Sequence, residues 1–241
     1  MTGASIVLEA AGFAVAGKVI LSGLSLTLTE PRIGIVGRNG SGKTSLLRLI
    51  AGLVAPTTGT VRVAGIDPTR DRHAMLRQLG ILFQNPDHQI LFPTGGEELA
   101  FGLTQMGLSA AQAQATVRHL LATEGRTPWF DAATHTLSHG QRQYLCLMAV
   151  LAMQPATLLL DEPFAALDLP AQARLVRKLA ALPQRVITIS HDPVAVATCD
   201  RVIWLEAGRV HADGRAQPVL DAFRTDMAKR GAADADADLA P

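Results

Sequence analysis

The sequence predicts an α/β fold with a mostly parallel sheet, and three observations support this prediction. Short apolar or alternating runs typical of strands recur along the chain, and helical patterns alternate with them. A glycine-rich turn separates an early strand from a helix. Between residues 86 and 152 the strand signal fades, and Ala, Gln, Leu and Arg dominate. Strand–helix alternation of this kind favours a parallel sheet that carries a helical insertion.

The individual elements follow in order. Strand patterns lie at Ile6–Leu8, Leu24–Leu28, Ile33–Val36, Gly59–Ala64, Gly80–Phe83, Thr157–Leu160, Arg185–Ile189 and Arg201–Leu205. Helical patterns lie at Thr44–Ile50, Ala110–Leu121 with Ser109 as N-cap, Arg142–Ala152, Pro170–Ala181 and Pro193–Ala197. Residues 226–241 end in Ala/Asp low complexity, which predicts a disordered tail.

Length and composition limit the function classes. A chain of 241 residues can bury one substantial core. Its net charge of +1 and aromatic content of 4% argue against nucleic-acid binding, which favours a basic excess or an aromatic platform. Cys146 and Cys199 lack metal-ligand spacing and fit a reducing cytosol. No apolar run approaches the ~18 residues of a spanning helix, so we expect the chain not to cross a membrane by itself.

The glycine-rich turn matches the phosphate-loop pattern G-x-x-x-x-G-K-[ST]. Its residues are Gly37, Arg38, Asn39, Gly40, Ser41, Gly42, Lys43 and Thr44. Glycines let successive backbone N–H groups point at phosphate oxygens, and the following helix adds its positive dipole end. Lys43 would supply a charge to the β- and γ-phosphates, and the Thr44 hydroxyl would bind Mg²⁺. The motif therefore predicts a P-loop site that binds the phosphates of a nucleotide together with Mg²⁺.

Two adjacent carboxylates end a later strand pattern. Asp161 and Glu162 follow the apolar run Thr157–Leu160. In P-loop enzymes the first acidic residue at this place holds Mg²⁺. Where the backbone turns at the end of the strand, both carboxylates can face the site. Asp161 is thus a candidate metal ligand, and Glu162 a candidate base for the attacking water.

Further motifs resemble those of the ATP-binding-cassette (ABC) family. Leu137, Ser138, His139, Gly140 and Gln141 resemble its LSGGQ signature. Gln84 resembles the Q-loop glutamine that contacts Mg²⁺. Ala166-Leu167-Asp168 resembles the D-loop. His191, in Ser190-His191-Asp192, resembles the switch histidine that contacts the γ-phosphate. The motifs stand in the family's order, and the resemblance covers roughly residues 5–215.

This resemblance implies an architecture and an activity. It implies one ABC ATPase domain over residues 1–225, with a RecA-like core at 1–85 and 153–225, an antiparallel β region, and a helical signature subdomain at 86–152. It also implies ATP hydrolysis by a head-to-tail homodimer. Each ATP would lie between Gly37–Thr44 of one chain and Ser138–Gln141 of the other, and Asp168 would cross the interface.

Two positions depart from the family pattern. His139 replaces a signature glycine, whereas Gly140, expected nearest to the phosphate, is kept. Val15 stands where an aromatic residue normally stacks on adenine, unless Phe13 substitutes for it. The first departure leaves the signature site intact, and the second predicts modest nucleotide affinity.

The sequence after Phe83 narrows the type of transporter. Phe83-Gln84-Asn85-Pro86-Asp87-His88-Gln89 resembles the FQNPDxQ pattern of energy-coupling-factor importers for vitamins and transition-metal ions. That resemblance implies a transmembrane coupling subunit, a separate substrate-binding membrane subunit, a peripheral place at the cytoplasmic face of the cell membrane, and no direct substrate contact. The short tail past Gly214 resembles the compact biotin, cobalt and nickel ATPases, and among these cargoes we favour biotin, followed by cobalt or nickel.

Four other functions are alternatives to this interpretation of the sequence. The chain could serve a conventional ABC importer, which would make the Asp-x-Gln a chance match. A non-transport cassette for DNA or ribosomes usually carries coiled-coil insertions, paired cassettes or basic arms, none of which the sequence has. Another P-loop class, such as a kinase or GTPase, would leave the signature unexplained. A binding-only cassette would lack the base, whereas this chain carries Glu162 and His191.

Overall fold

The computed structural model describes residues 5–165 and 167–237, with only the backbone for residues 232–237. The strands in these ranges are β1 Ile6–Val15, β2 Lys18–Leu28, β3 Arg32–Val36, β4 Thr58–Val63, β5 Leu79–Leu82, β6 Thr157–Asp161, β7 Arg185–Ser190, β8 Arg201–Glu206 and β9 Arg209–Gly214. The helices are α1 Lys43–Ile50, α2 Arg72–Gln78, α3 Gly95–Gln105, α4 Ala110–Thr123, α5 His139–Ala152, α6 Leu169–Ala180 and α7 Ala216–Ala237.

The strands form two sheets. The larger has the order β5-β6-β7-β3-β8-β9, and all its neighbouring pairs are parallel except β8 and β9. The smaller is antiparallel, with the order β2-β1-β4. The predicted α/β class with a mostly parallel sheet and an antiparallel region is therefore confirmed.

Strand register determines what meets at the carboxyl edge of the larger sheet. Val36 at the end of β3 pairs with Ser190 at the end of β7, and Asp161 at the end of β6 pairs with Ile189. Three chain segments far apart in sequence thus leave the sheet side by side. This edge is where open parallel sheets bind ligands.

The main core lies around α1, between the two sheets. The apolar side chains of α1 that are fully buried there are Leu46, Leu47, Leu49 and Ile50. Every residue of β6 and β7 is buried, as expected for parallel strands whose two faces are both covered. This packing fixes the strand ends that present the site.

The region from α3 to α5 has its own apolar cluster, built from residues such as Leu99, Val117, Leu121, Leu145 and Met148. The opposite side of α5 contributes Cys146, Leu147 and Val150 to a second cluster with β6, β7 and α6. Helix α5 therefore joins the helical region to the sheet.

Close packing explains the two glycines at the start of α3. A Cβ on Gly95 would lie 2.3 Å from the carbonyl oxygen of Trp129, and one on Gly96 would lie 2.7 Å from that of Phe130. Glycine lets α3 approach the 3-10 turn Thr127–Phe130 this closely.

Some local predictions differ from the structure. Strands β1 and β2 run through Gly12 and Gly23, because bulges and register shifts absorb the irregular backbone. Only a 3-10 turn, Pro193–Val196, forms where a helix was predicted at Pro193–Ala197. The segments α2, α3, β9 and α7 carried too little apolar periodicity to be recognised.

The prediction of a disordered tail at 226–241 is wrong for residues 226–237, which form the last part of α7. Alanine has the highest helix propensity, so an alanine-rich segment can extend a helix that packing has already begun. Met227 packs against the cluster under α7, and Arg230 forms ion pairs with Glu206 and Asp226. Residues 238–241 lie outside the described residues.

Candidate functional site

The phosphate loop leaves β3 and enters α1 with an open helix end. Gly42 is the N-cap residue with a φ of +103°, and no side chain caps the helix. The first N–H groups of α1 therefore remain available to an anion. Close packing explains Gly37, where a Cβ would lie 2.2 Å from the carbonyl oxygen of Leu205.

Lys43 is buried beneath this loop. Its Nζ donates hydrogen bonds to the carbonyl oxygens of Gly37, at 2.7 Å, and Arg38, at 2.9 Å. Burial lowers the pKa of Lys43, while the charges of Asp161 and Glu162 oppose that shift. The buried Ser41 hydroxyl has no hydrogen-bond partner among the described residues. A buried ammonium and an unpaired hydroxyl in one loop fit an anionic ligand.

Thr44 and Asp161 form a pair of oxygen donors beside the loop. The Thr44 hydroxyl donates a hydrogen bond to Oδ2 of Asp161 over 3.1 Å. Burial raises the pKa of Asp161, and the hydrogen bond from Thr44 partly offsets that effect. A hydroxyl and a carboxylate next to a phosphate-binding loop fit Mg²⁺, which prefers such ligands together with phosphate oxygens.

Glu162 is held in a strained backbone conformation. Its φ is +48°, and its N–H donates to the carbonyl oxygen of Ile189 at 2.9 Å. Oε2 accepts a hydrogen bond from the Ser190 hydroxyl at 2.9 Å, and Oε1 accepts one from the backbone N–H of His191 at 2.8 Å. The turn after β6 therefore directs the buried carboxylate towards the end of β7.

A cavity of about 650 Å³ brings most of the predicted residues together. It is lined by phosphate-loop residues, by Gln84, Asp161, Glu162 and His191, and by the β1–β2 hairpin residues Lys18 and Val19. Gln84 is exposed and lines this cavity together with the two carboxylates. This arrangement can hold a triphosphate, bind a divalent cation and present a carboxylate to water.

The predicted adenine position lies at the edge of this site. Val15 is 53% exposed at the end of β1, and it is not among the residues that line the cavity. Phe13 packs against the main core, so its ring is not directed to the base. Among the described residues no Phe, Tyr or Trp side chain lines this cavity.

The signature residues lie at the start of α5. The Ser138 Oγ accepts a hydrogen bond from the Gln141 N–H at 3.3 Å, and the Gln141 side chain accepts one from the Ser138 N–H at 2.7 Å. Together with Gly140 and Asp168 they line a different cavity, of about 780 Å³. Ser138, Gly140 and Gln141 are therefore not brought to the phosphate loop of their own chain.

His139 and Gly140 differ in what they contact. His139 lines the 780 Å³ cavity and also one of about 700 Å³ that it shares with Thr44, Gln84 and Asp161. Its Nε2 is buried, with no hydrogen-bond partner among the described residues. A Cβ on Gly140 would meet the side chains of Leu167, at 3.4 Å, and Ala171, at 3.9 Å, which are ordinary van der Waals distances. Packing within this chain does not require glycine at position 140.

The predicted D-loop residue Asp168 has a visible structural role. Its Oδ1 accepts a hydrogen bond from the Ala171 N–H at 2.8 Å and so caps α6. The neighbouring Leu169 is 78% exposed. Ala166, the first residue of this motif, lies outside the described residues.

Hydrogen bonds fix the segment after Phe83. The Gln89 side chain accepts from the Phe83 N–H at 3.0 Å and donates to the Ile81 carbonyl oxygen at 3.1 Å. Arg142 of α5 lies 2.9 Å from the Asp87 carboxylate and donates to the Leu137 carbonyl oxygen at 2.6 Å. The Gln84 segment and the signature are therefore joined by one arginine.

Sequence reasoning missed two contributions to the site. Ser190 orients Glu162, and the only available signal was its place beside His191 at a strand end. Lys18 and Val19 line the cavity because the β1–β2 hairpin leans over the phosphate loop, which no local pattern indicates.

Comparison with known proteins agrees with this geometry. The sequence model of the ABC transporter family matches residues 21–165, more than half of the chain. The biotin transport ATP-binding protein BioM of Rhodobacter capsulatus is 53% identical over 207 residues, 86% of this chain and 88% of that protein. BioM of Rhizobium etli is 42% identical over 216 residues, 90% of this chain and 96% of that protein.

A solved structure is similar over the same extent. CbiO1 from Clostridium perfringens, described as part of the ABC transporter complex CbiONQ, matches with a TM-score of 0.76 and 29% identity. The match covers 90% of each chain. Within the described ranges no helix has both the length and the apolar character needed to span a bilayer. The chain belongs to the ABC transporter family, as an ATP-binding subunit with ATPase activity.

Proposed function

We propose that this chain is the ATPase of an energy-coupling-factor importer and that the imported substrate is biotin. The observation that carries the ATPase chemistry is the shared cavity of the phosphate loop, Gln84, Asp161, Glu162 and His191. The importer type is supported by the FQNPDxQ segment, by the two BioM relatives and by the similarity to CbiO1.

In the proposed mechanism the phosphate loop binds the triphosphate of ATP. The backbone N–H groups at the start of α1 and the Lys43 ammonium contact the β- and γ-phosphates. Thr44 and Asp161, with Gln84 alongside, would hold Mg²⁺, which when bound neutralises negative charge on the phosphates. His191 contacts the γ-phosphate, and Glu162 accepts a proton from the attacking water.

Two copies of the chain would form each hydrolytic site. Ser138, Gly140 and Gln141 do not line their own chain's phosphate-loop cavity, and Gly140 has no internal reason to be glycine. We therefore propose a head-to-tail homodimer, in which the signature of one copy meets the ATP of the other. The Ser138 oxygen accepts a bond from Gln141, so its O–H hydrogen stays free to donate to a phosphate.

The proposed membrane partners dock near Gln84. The exposed Leu53 lines the 700 Å³ cavity together with Gln84, and the exposed Leu91 follows Gln84 by seven residues in the chain. We propose that a cytoplasmic helix of a transmembrane coupling subunit binds this surface. The Asp87–Arg142 ion pair would transmit its position to the signature helix. A separate membrane subunit would bind the substrate, and this chain would stay peripheral at the cytoplasmic face, without substrate contact.

Partner capture tests the proposal. Tagged Glu162→Gln protein is purified from detergent-solubilised membranes in ATP, and its partners are identified by mass spectrometry. We expect two small integral proteins, and the complex should bind radiolabelled biotin. Binding of Co²⁺ or Ni²⁺ instead would make the cargo a metal ion, whereas a paired permease with a separate binding protein would indicate a conventional importer.

A pair of variants tests the docking surface. Leu91 is 68% exposed, and Leu91→Glu should abolish capture of the membrane partners while ATP binding is kept. Val176→Glu places the same charge at an exposed apolar position on α6, and it should capture them normally. Equal capture by both variants would contradict docking near Gln84, and absence of any membrane partner for the parent protein would favour a non-transport cassette.

A further inference from the structure

The turn between β8 and β9 lies directly behind the phosphate loop. The Leu205 carbonyl oxygen packs against Gly37, and the Gly208 N–H donates a hydrogen bond to the Ser41 carbonyl oxygen at 3.0 Å. Glu206 lies between these two contacts in sequence, so it is fixed beside the loop. A negative charge is thus built in next to the place where a triphosphate would bind.

The Glu206 carboxylate has one charged partner in the described structure. Its side chain is 20% exposed, and Oε1 lies 3.2 Å from Nη1 of Arg230. Oε2 is buried and has no hydrogen-bond partner among the described residues. The charge of Glu206 also acts on Lys43, whose pKa it raises against the larger lowering by burial. Without Arg230, this carboxylate would oppose the binding of an anion.

Arg230 is oriented by its own helix. Its Nε lies 2.6 Å from Oδ2 of Asp226, one turn earlier in α7. Phe223 and Met227 of α7 pack on the cluster under the helix. The same helix borders a cavity of about 500 Å³ that is also lined by Arg38 and His191. Helix α7 therefore borders the phosphate loop and His191.

We propose that Arg230 is a positioning residue for nucleotide binding: it neutralises Glu206 and so keeps the electrostatic potential at the phosphate loop favourable to a triphosphate. The last turns of α7 then belong to the nucleotide site as well as to the fold. This inference rests on the proposed binding of ATP by the phosphate loop. It assigns Arg230 no contact with ATP itself.

Binding of MgATP to the full chain tests this role. Arg230→Met should weaken binding roughly two- to five-fold, the range expected for a partly exposed ion pair. KM should rise by the same factor with kcat nearly unchanged, because no reacting group is touched. Arg230→Lys keeps the charge and should bind normally. Lys229→Met removes a charge from an exposed neighbour on the same helix and should also bind normally.

The double variant Glu206→Gln/Arg230→Met separates charge from packing. It removes the carboxylate that needs neutralising, so binding should return to the parent value. A double variant that binds as weakly as Arg230→Met would overturn the inference, as would unchanged binding in Arg230→Met itself. Failure of the parent chain to bind MgATP would overturn both the proposed function and this inference.

Discussion

The Nδ1 atom of His191 lies 2.8 Å from Oε1 of Glu162, so the ring of the proposed switch histidine contacts the carboxylate of the candidate base. Oε1 also accepts a hydrogen bond from the backbone N–H of His191, and Oε2 accepts one from the Ser190 hydroxyl. The His191 side chain is 58% exposed, which leaves it free to swing towards a γ-phosphate. Glu162 could then exchange the ring for a water molecule.

Replacement of Glu162 by glutamine should separate binding from hydrolysis. Glu162→Gln keeps the side-chain size and one oxygen for the Ser190 or His191 donors, but it removes the base. We expect ATP affinity to be retained and hydrolysis to fall by roughly 10²–10⁴, the usual contribution of general-base catalysis. Phosphate release measures hydrolysis, and equilibrium ATP binding measures affinity. Glu9→Gln, at an exposed residue of β1, serves as the control. A near-normal rate would assign the base to another group.

Removal of the Lys43 ammonium should weaken the binding of ATP. Lys43→Ala removes the charged ammonium that donates hydrogen bonds to the carbonyl oxygens of Gly37 and Arg38. Loss of a charged hydrogen bond of about 1.5–3 kcal/mol predicts roughly 10- to 150-fold weaker ATP binding. Isothermal titration gives the affinity, and the unfolding midpoint without nucleotide shows whether the loop still folds. Unchanged affinity in a folded variant would refute the phosphate-loop assignment.

Position 140 offers a test in which stability and activity change in opposite directions. Gly140→Ala meets no close contact in its own chain, and alanine is favoured over glycine in a helix by up to about 1 kcal/mol. The unliganded protein should therefore be slightly more stable. Hydrolysis and ATP-driven dimerisation should nevertheless fall. In the proposed dimer, the added methyl group would occupy the space of a phosphate of the ATP that is bound to the partner chain.

The matched control for this variant is Gly231→Ala, another helical glycine with open space around it. It should leave hydrolysis unchanged. ATPase rates and light scattering of the two variants, both in an otherwise unchanged chain, give the comparison. Normal dimerisation of Gly140→Ala would argue against a phosphate next to Gly140 in the dimer.

Much of the fold could be predicted because its signals are local. The buried strands β6 and β7 are continuous apolar runs, and α4 and α5 begin at Ser109 and Ser138 with capping boxes. The helix α3 was missed because three of its eleven residues are glycine, and only packing explains them: Gly95 and Gly96 lie against Trp129 and Phe130, and Gly102 lies against Met153. The end of α7 was missed because its stability depends on Met227 and Arg230, which contact residues distant in sequence.

The site was predictable to the extent that motifs mark strand ends. Asp161 stands at such an end, Gly37 and His191 directly follow one, and parallel strands bring these ends together. The orientation of Glu162 by Ser190 and the role of Glu206 beside the phosphate loop depend on three-dimensional contacts. No spacing in the sequence carries that information.

Asp161 should limit the stability of the unliganded protein. Burial raises its pKa above the ordinary aspartate value of 3.8, so the folded state binds a proton more tightly than the unfolded state does. Stability therefore falls as pH rises from that value through the folded pKa, and the full cost of the buried charge remains at every pH above the folded pKa. Asp161→Asn removes this cost and keeps an oxygen to accept the Thr44 hydrogen bond.

We expect Asp161→Asn to unfold at a higher temperature than the parent at neutral pH, without nucleotide or Mg²⁺. The difference should shrink as pH falls through the folded pKa and vanish below 3.8, where the parent aspartate is protonated in both states. Thermal unfolding of both proteins across this pH range measures the effect, with the exposed Asp221→Asn as control. An increase in unfolding temperature that does not depend on pH would mean that packing, and not the buried charge, causes the effect. The same variant should lose Mg²⁺-dependent hydrolysis, because the carboxylate that destabilises the empty site is the one proposed to hold the metal.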